Sequence, residues 1–214
     1  MSHKQFFVSG ISTEVGKTVC SAVLVNALEA DYWKPVQSGD LHQTDSMRVA
    51  SWNGTNLSDK RCHPETYRLT EPMSPHASAA IDGVQIRLSD FQLPETAAPL
   101  IVEGAGGLLV PLNNKDTILD LMAQLQLPVI LVSRNYLGSI NHTLLSIAQL
   151  QQREIPIAGL VFNGPVTPTT ESVIQRMTQI PVLFRIPELD RLSLPVIQDL
   201  AQRLRPQIRQ ALNL

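Results

Sequence analysis

The sequence has little of what marks several large classes of protein. Only two of its 214 residues are cysteine, Cys20 and Cys62, which gives neither a disulfide framework nor the CxxC spacing of a zinc site. The formal net charge of −2 leaves no electrostatic footprint for nucleic acid or an anionic membrane. No apolar run reaches the ~18 residues that span a bilayer, and the first residues lack the core of a signal peptide. We therefore expect a cytoplasmic protein with no nucleic-acid or membrane partner.

What the sequence does contain is a regular alternation of short apolar runs and helical patterns. Hydrophobic residues make up 43% of the chain, enough for one packed domain over residues 1–214. The apolar runs predict strands at 6–8, 32–33, 100–102, 128–132, 157–162 and 181–184. The helical patterns lie near 18–30, 116–126, 139–153, 169–179 and 195–212. This order predicts an α/β fold with a doubly wound, mostly parallel sheet and helices on both faces.

The long interval between residues 36 and 99 interrupts this rhythm. A structureless loop of that length is unusual within a compact domain. We expect short helices there, forming one wall of a site at the carboxyl ends of the strands.

A glycine-rich loop, GISTEVGKT at residues 10–18, follows the first predicted strand and opens the first helix. In that context, backbone N–H groups can hold phosphates and the lysine can pair with the β- and γ-phosphates. The Thr18 hydroxyl can bind Mg²⁺. Five residues separate Gly10 from Gly16, where the common pattern has four. The alternative is a plain strand–turn–helix, but the flanking patterns favour a P-loop.

Three further charged residues are candidates for the same site. Glu103 follows the apolar run 99–102 and precedes a glycine turn; the alternative is a surface glutamate. Asp45 could bind Mg²⁺ or simply cap a helix over 46–52. Lys34 stands at the end of the second predicted strand, where it could face phosphates or remain solvated. On spacing alone, a helix cap is favoured for Asp45 and a solvated side chain for Lys34.

The segment LGSINH at residues 137–142 opens a long predicted helix after the fourth strand. Its free backbone N–H groups would suit a carboxylate or a phosphate. The competing interpretation is simple capping of the helix by Ser139.

Taken together, the motifs resemble the dethiobiotin synthetase family of ATP-dependent ligases. The resemblance is carried, in the family's order and across nearly the whole chain, by GISTEVGKT, WKPVQSG, TDS at 44–46, SPH at 74–76, VEGAGG, PVILV, LGSINH and VFN at 161–163. It implies ATP-dependent carboxylation and ring closure of 7,8-diaminononanoate with CO₂, through a carbamate and a carbamic-phosphoric anhydride. It also implies Mg²⁺ and a homodimer in which the partner subunit completes the site for the substrate carboxylate.

The resemblance assigns roles that spacing alone leaves open. The implied catalytic residues are Lys17 and Lys34. The implied metal ligands are Thr18, Asp45 and Glu103. The implied ATP-binding residues are Glu14, Val15, Gly16, Lys17, Thr18, Val19, Asp45, Glu103, Gly104, Ala105, Gly106, Asn163, Gly164, Pro187, Glu188 and Leu189. The implied substrate-binding residues are Thr13, Ser38, Gly138, Ser139, Ile140 and Asn141.

Two departures from the family pattern and two rival classes remain at this point. Ile11 and Ser12 stand where the family often has Thr and Asp. Glu188 stands where an aromatic residue is frequent, so the sequence leaves undecided how residue 188 contacts the nucleotide base. One rival is a partition-type P-loop ATPase, but the loop lacks that class's early lysine and the chain shows no basic patch. The other is a nucleotide-binding relative that has lost activity.

Overall fold

Short apolar strands alternate with helices along the part of the chain that the structure, a computed structural model, describes: residues 4–54, 57 and 61–214. The strands are β1 (Gln5–Gly10), β2 (Asp31–Trp33), β3 (Val36–Ser38), β4 (Cys62–His63), β5 (Tyr67–Leu69), β6 (Leu100–Gly107), β7 (Val129–Arg134), β8 (Ile157–Asn163) and β9 (Val182–Ile186). The helices are α1 (Lys17–Leu28), α2 (Asp45–Asn53), α3 (Pro75–Ile81), α4 (Ile118–Leu125), α5 (Ser139–Gln152), α6 (Pro168–Thr178) and α7 (Leu194–Ala211). A 3-10 turn covers Leu88–Asp90.

Seven strands form one parallel sheet in the order β4-β2-β6-β1-β7-β8-β9. The connection from β1 to β2 through α1 runs toward one edge, and that from β6 to β7 through α4 runs toward the other. Since such crossovers are right-handed, the two helices cover opposite faces. In agreement, α1 packs on α2 and α7, whereas α5 packs on α6. The predicted doubly wound P-loop fold is confirmed, and its switch point lies beside β1, where ligands of such sheets bind.

The core lies on both faces of this sheet. The central strands are continuous apolar runs because a parallel sheet covered by helices buries both of its sides. The run 129–132 of β7 is wholly buried, and the neighbouring residues Phe7 and Val8 of β1 are too. The carboxyl ends of β1, β6 and β7 are therefore held rigidly, which gives the loops that follow them a fixed base.

The interval after β2 contains the short helices that we expected, and also three strands that the sequence does not reveal. Strands β3 and β5 pair as a separate two-stranded sheet, and β4 extends the edge of the main sheet. Strand β6 is longer than predicted, because it continues through the glycine-rich segment to Gly107. Glu103 is therefore inside a strand and fully buried rather than at a strand end or on a surface turn.

Among the residues that the structure describes, no helix combines the length and apolar character required to cross a membrane.

Candidate active site

In the loop between β1 and α1, the lysine side chain folds back onto the loop's own backbone. Lys17 is buried and its Nζ donates a hydrogen bond to the Ser12 carbonyl oxygen at 3.0 Å. Gly16 has a φ of +94°, and a Cβ there would lie 2.1 Å from Nδ2 of Asn163. Only glycine fits such a backbone with so close a neighbour. Burial, followed by repulsion from Lys34, lowers the pKa of Lys17 to about 8.

Strand register brings Lys34 and Glu103 together from distant parts of the chain. Trp33, the last residue of β2, pairs with Val102 of β6, so the next residues along the two strands are neighbours. The Lys34 Nζ lies 3.3 Å from Oε1 of Glu103, and both side chains are nearly or fully removed from solvent. The Thr18 hydroxyl donates to the same Oε1 at 2.9 Å. The P-loop and the two strand ends thus share one polar centre.

Asp45 completes this centre and is not the cap of its helix. The cap is Thr44, whose Oγ1 accepts a hydrogen bond from the Met47 N–H at 3.2 Å. Asp45 is the first residue of α2, and its Oδ2 lies 2.7 Å from the Lys34 Nζ. Its backbone N–H donates to the Gln37 side-chain oxygen at 3.1 Å, which fixes the start of the helix beside β3. The capping alternative for Asp45 is therefore wrong.

Electrostatics keep Lys34 and Asp45 in their charged forms. Burial would lower the pKa of Lys34, but the charges of Glu103 and Asp45 more than offset it and the pKa is raised. Burial would likewise raise the pKa of Asp45, but Lys34 dominates and the pKa is lowered. The alternative of a solvated Lys34 is excluded, since the side chain is only 5% exposed. A fixed cation thus stands next to the phosphate-binding loop.

Sequence reasoning missed Tyr32, which contacts the cluster formed by Lys34, Asp45 and Glu103 (the Lys34 cluster). Its phenol is completely buried and donates a hydrogen bond to Oε2 of Glu103 at 3.0 Å. Burial and the Glu103 charge raise the pKa of Tyr32 well above its usual value, so the phenol stays a donor. Two-residue spacing places Tyr32 and Lys34 on the same face of the strand. That periodicity was the available signal.

The predicted nucleotide contacts at residues 163–164 and 187–189 lie at the ends of β8 and β9. Nδ2 of Asn163 donates to the Val15 carbonyl oxygen at 2.9 Å, which ties β8 to the loop. Gly164 has a φ of +91°, and a Cβ there would meet Oε2 of Glu188 at 3.0 Å. Glu188 is paired with Arg134, at 3.1 and 3.2 Å from one guanidinium nitrogen, a partner that sequence reasoning missed. Pro187 and Leu189 flank Glu188 directly after β9.

An apolar cavity of about 450 Å³ opens beside the P-loop. Thr13 lines it, together with the segment 106–111 that follows β6 and residues of α5. Ser38 lies at the end of β3, and its Oγ is buried without a hydrogen-bond partner among the described residues. An uncommitted buried hydroxyl is a group that a ligand could satisfy.

The remaining predicted substrate-binding residues, 138–141, lie at the start of α5 and do not line this cavity. Gly138, with a φ of +103°, occupies the cap position. Ser139 is buried, and its hydroxyl accepts from the Tyr136 N–H at 3.3 Å, so capping by Ser139 is wrong. Ile140 and Asn141 are exposed. Within one chain, this helix start shares no hydrogen bond with the Lys34 cluster among the contacts that the structure describes.

The donor set suits a hard divalent cation. No group of three or more His, Cys, Asp or Glu side chains placed to hold a metal occurs among residues 4–54, 57 and 61–214. Two carboxylates and the Thr18 hydroxyl do converge, however, and Mg²⁺ is commonly held by one or two carboxylates with substrate phosphates completing its shell. The side chains of Thr18, Asp45 and Glu103 therefore fit Mg²⁺ bound together with a nucleotide.

The fold and the loop define the class of protein: a nucleotide-binding P-loop enzyme of the doubly wound type. A family model described as an AAA domain matches residues 4–196. A putative plasmid partition protein from Borrelia burgdorferi superimposes with a TM-score of 0.59 at 12% identity, covering 98% of both chains. The septum site-determining protein MinD from Pyrococcus horikoshii gives 0.55 at 15% identity, covering 99% of this chain and 93% of its own. At such low identities these likenesses concern the fold alone.

Sequence relatives narrow the class to a family. The chain is 46% identical over 205 residues to the ATP-dependent dethiobiotin synthetase BioD of Christiangramia forsetii, covering 96% of this chain and 98% of the relative. It is 47% identical over 204 residues to BioD of Cytophaga hutchinsonii (94% and 97%), and 48% identical over 191 residues to BioD of Brucella ovis (89% and 89%). The chain belongs to the ATP-dependent dethiobiotin synthetase family, which are ATP-dependent ligases of biotin biosynthesis. The family resemblance seen in the sequence is confirmed.

Proposed function

We propose that this protein converts 7,8-diaminononanoate, CO₂ and ATP to dethiobiotin, ADP and phosphate. The observation that carries the proposal is the buried Lys34, held beside the P-loop by Asp45 and Glu103 at 2.7 and 3.3 Å. A P-loop that only binds nucleotide does not need a second buried lysine there. An enzyme that brings an anionic carbamate against a triphosphate does, since the approaching anions must be neutralised.

The chemistry proceeds in three bond-forming steps. One amine of the substrate adds to CO₂ and loses a proton, which gives a carbamate. A carbamate oxygen then attacks the γ-phosphorus of ATP, and ADP leaves with the former bridging oxygen. The second amine finally attacks the carbamate carbon of the mixed anhydride, which closes the ring and expels phosphate. Lys17 and Lys34 flank the carbamate and the γ-phosphate, where they stabilise the charge that develops during transfer.

Mg²⁺ bound by Thr18, Asp45 and Glu103 would neutralise charge on the β- and γ-phosphate oxygens. The loop residues 14–19 hold the phosphates through their backbone N–H groups. The glycine-rich segment 104–106 permits close approach of the backbone to the nucleotide. Asn163, Gly164 and the segment 187–189 form the region that receives the base.

The cavity beside the P-loop fits the hydrocarbon chain of the diamine substrate. Its lining is mainly apolar and includes Thr13 of the P-loop. Thr13 and the unpartnered hydroxyl of Ser38 would contact the diamine or the carbamate. The carboxylate tail would bind at the helix start 138–141 of a partner subunit, where backbone N–H groups and the helix dipole favour an anion.

A homodimer follows from that arrangement, and the surface supports it. Leu137, next to that helix start, is fully exposed, and Leu109 and Leu145 at the cavity are more than half exposed. Contiguous exposed apolar patches mark interaction sites. Each subunit would work as a single domain. The low cysteine content, two of 214 residues, fits a reducing cytoplasm.

Oxygen labelling tests the central step. The enzyme is mixed with the diamine, Mg²⁺, ATP and freshly dissolved C¹⁸O₂, and the phosphate is analysed by mass spectrometry after one turnover, before CO₂ exchanges oxygen with water. Attack by a carbamate oxygen transfers one ¹⁸O to each phosphate formed. Phosphate without label, formed together with dethiobiotin, would contradict the carbamate pathway. ATP hydrolysis without any dethiobiotin would instead favour a partition-type ATPase.

A further inference from the structure

One buried hydroxyl in the site has no part in the chemistry described so far. The phenol of Tyr32 lies on β2, its side chain has no solvent exposure, and it donates to Oε2 of Glu103 at 3.0 Å. The other carboxylate oxygen, Oε1, accepts from Thr18 at 2.9 Å and from Lys34 at 3.3 Å. Oε2 of Glu103 thus contacts Tyr32, which has no role in the reaction, whereas Oε1 contacts two residues of the reacting centre.

This division matters because a carboxylate turns easily about its last torsion. Rotations about terminal sp³–sp² bonds are soft, so a glutamate held by a single set of partners samples several orientations. A donor bound to Oε2 from the opposite side selects one of them. Hydrogen bonds to an ionised acceptor are also about twice as strong as neutral ones, which makes a buried phenol an effective anchor.

We propose that Tyr32 is a positioning residue that orients the Glu103 carboxylate, so that Oε1 faces Thr18, Lys34 and the metal bound with the nucleotide. The inference rests on the proposed function, in which Glu103 helps to hold Mg²⁺. Outer partners of metal ligands commonly change metal affinity or activity 10–100-fold when they are lost. Tyr32 touches no substrate atom in this account and acts only through Glu103.

The test compares Tyr32→Phe with the wild type in a metal-binding measurement. Mn²⁺ serves as the probe, and its affinity for the enzyme–ADP complex is followed by electron paramagnetic resonance. We expect binding to weaken about 10-fold. The Mg²⁺ concentration for half-maximal activity should rise by a similar factor, whereas kcat at saturating Mg²⁺ and the KM for the diamine stay within about 3-fold. Unchanged Mn²⁺ affinity in Tyr32→Phe would overturn the proposal.

A matched control and a double variant separate positioning from mere structure. Tyr67→Phe also removes a phenol oxygen that hydrogen bonds a carboxylate, that of Asp90, and should leave Mn²⁺ affinity unchanged. In a Glu103→Gln background, Tyr32→Phe should add little further loss, because its effect passes through that carboxylate. Fully additive losses would show that Tyr32 acts by another route and would refute the positioning role.

The single variant Glu103→Gln distinguishes a failure of the metal assignment from a failure of the role proposed for Tyr32. If that variant binds Mn²⁺ like the wild type, the metal assignment in the proposed function fails and the inference fails with it. If it binds weakly while Tyr32→Phe binds normally, only the inference fails. Tyr32→Met provides a second variant without the hydroxyl. If neither hydroxyl-free variant folds, the hydroxyl serves folding, which overturns the proposal.

Discussion

Lys34→Met would remove a buried cation that two carboxylates share. The ammonium lies 2.7 Å from Asp45 and 3.3 Å from Glu103, and its side chain is 5% exposed. Breaking a buried ion pair from one side costs about 3–5 kcal/mol, because the remaining charge has lost its partner. For a protein of this size, each kcal/mol lowers the melting temperature by roughly 2–4 °C. We expect Lys34→Met to melt about 6–20 °C lower than the wild type at pH 7.

The loss should depend on pH in a defined direction. The pKa of Asp45 is lowered in the folded protein, so its contribution to stability is present above its unfolded pKa and disappears as the pH falls through the folded one. The pKa of Lys34 is raised, so its contribution persists up to alkaline pH. The difference in unfolding free energy between wild type and variant is therefore largest between about pH 5 and 9. It should shrink near pH 3, where carboxylates become protonated.

Urea denaturation at pH 7 and pH 3, together with steady-state kinetics, tests this reasoning. Exposed Lys115→Met is the control and should match the wild type in both stability and activity. For Lys34→Met, kcat should fall at least about 100-fold, the usual result of removing one charge-stabilising group, while ADP affinity stays within about 3-fold. A free energy of unfolding within about 1 kcal/mol of the wild type, or a near-normal kcat, would refute the role given to Lys34.

Further predictions concern the metal, the loop, an outlying carboxylate and the dimer. Excess chelator should abolish turnover and added Mg²⁺ should restore it; full activity without divalent metal would contradict the metal assignment. In Gly16→Ala the new Cβ would lie 2.1 Å from Asn163, so ADP binding measured by calorimetry should weaken more than about 10-fold. Gly83→Ala meets open space and should lower the free energy of unfolding by only the ~1–2 kcal/mol of a left-handed residue. Hydrogen bonds outweigh burial and lower the pKa of Asp31. Asp31→Asn should therefore lower the unfolding free energy by about 1.5–3 kcal/mol at pH 7 and by less at pH 3. Equal losses at both pH values would contradict this. Leu137→Glu should convert the proposed homodimer to a monomer in light scattering and abolish turnover, and an intact, active dimer would remove that surface from the interface.

The parts of this fold that could be predicted are those governed by local rules. Long apolar runs gave the central strands, and helix periodicity gave α4–α7 to within a few residues of their observed ends. The P-loop was evident because its glycines, Lys17 and Thr18 stand together in the chain. Strands β3 and β5 escaped because three residues are too few to show a period, and their pairing joins segments about 30 positions apart.

The unpredicted parts of the site depend on long-range contacts. Tyr32 lies 71 positions from Glu103, and Arg134 lies 54 positions from Glu188. Neither spacing carries a signal in a single sequence, since only the strand order brings the partners together. Lys34 and Asp45 were favoured as site residues only through the family motifs around them. The structure explains those motifs physically: register places Lys34 beside Glu103, and the Thr44 cap leaves Asp45 free to pair.

The most direct test of the account is to look for the product. The purified protein is incubated with 7,8-diaminononanoate, bicarbonate, Mg²⁺ and ATP, and dethiobiotin is measured by mass spectrometry alongside ADP and phosphate. We expect dethiobiotin in a one-to-one ratio with ADP and phosphate, and none when any one substrate is omitted. Tight ATP binding with no dethiobiotin under these conditions would contradict the proposed reaction, although the P-loop fold would stand.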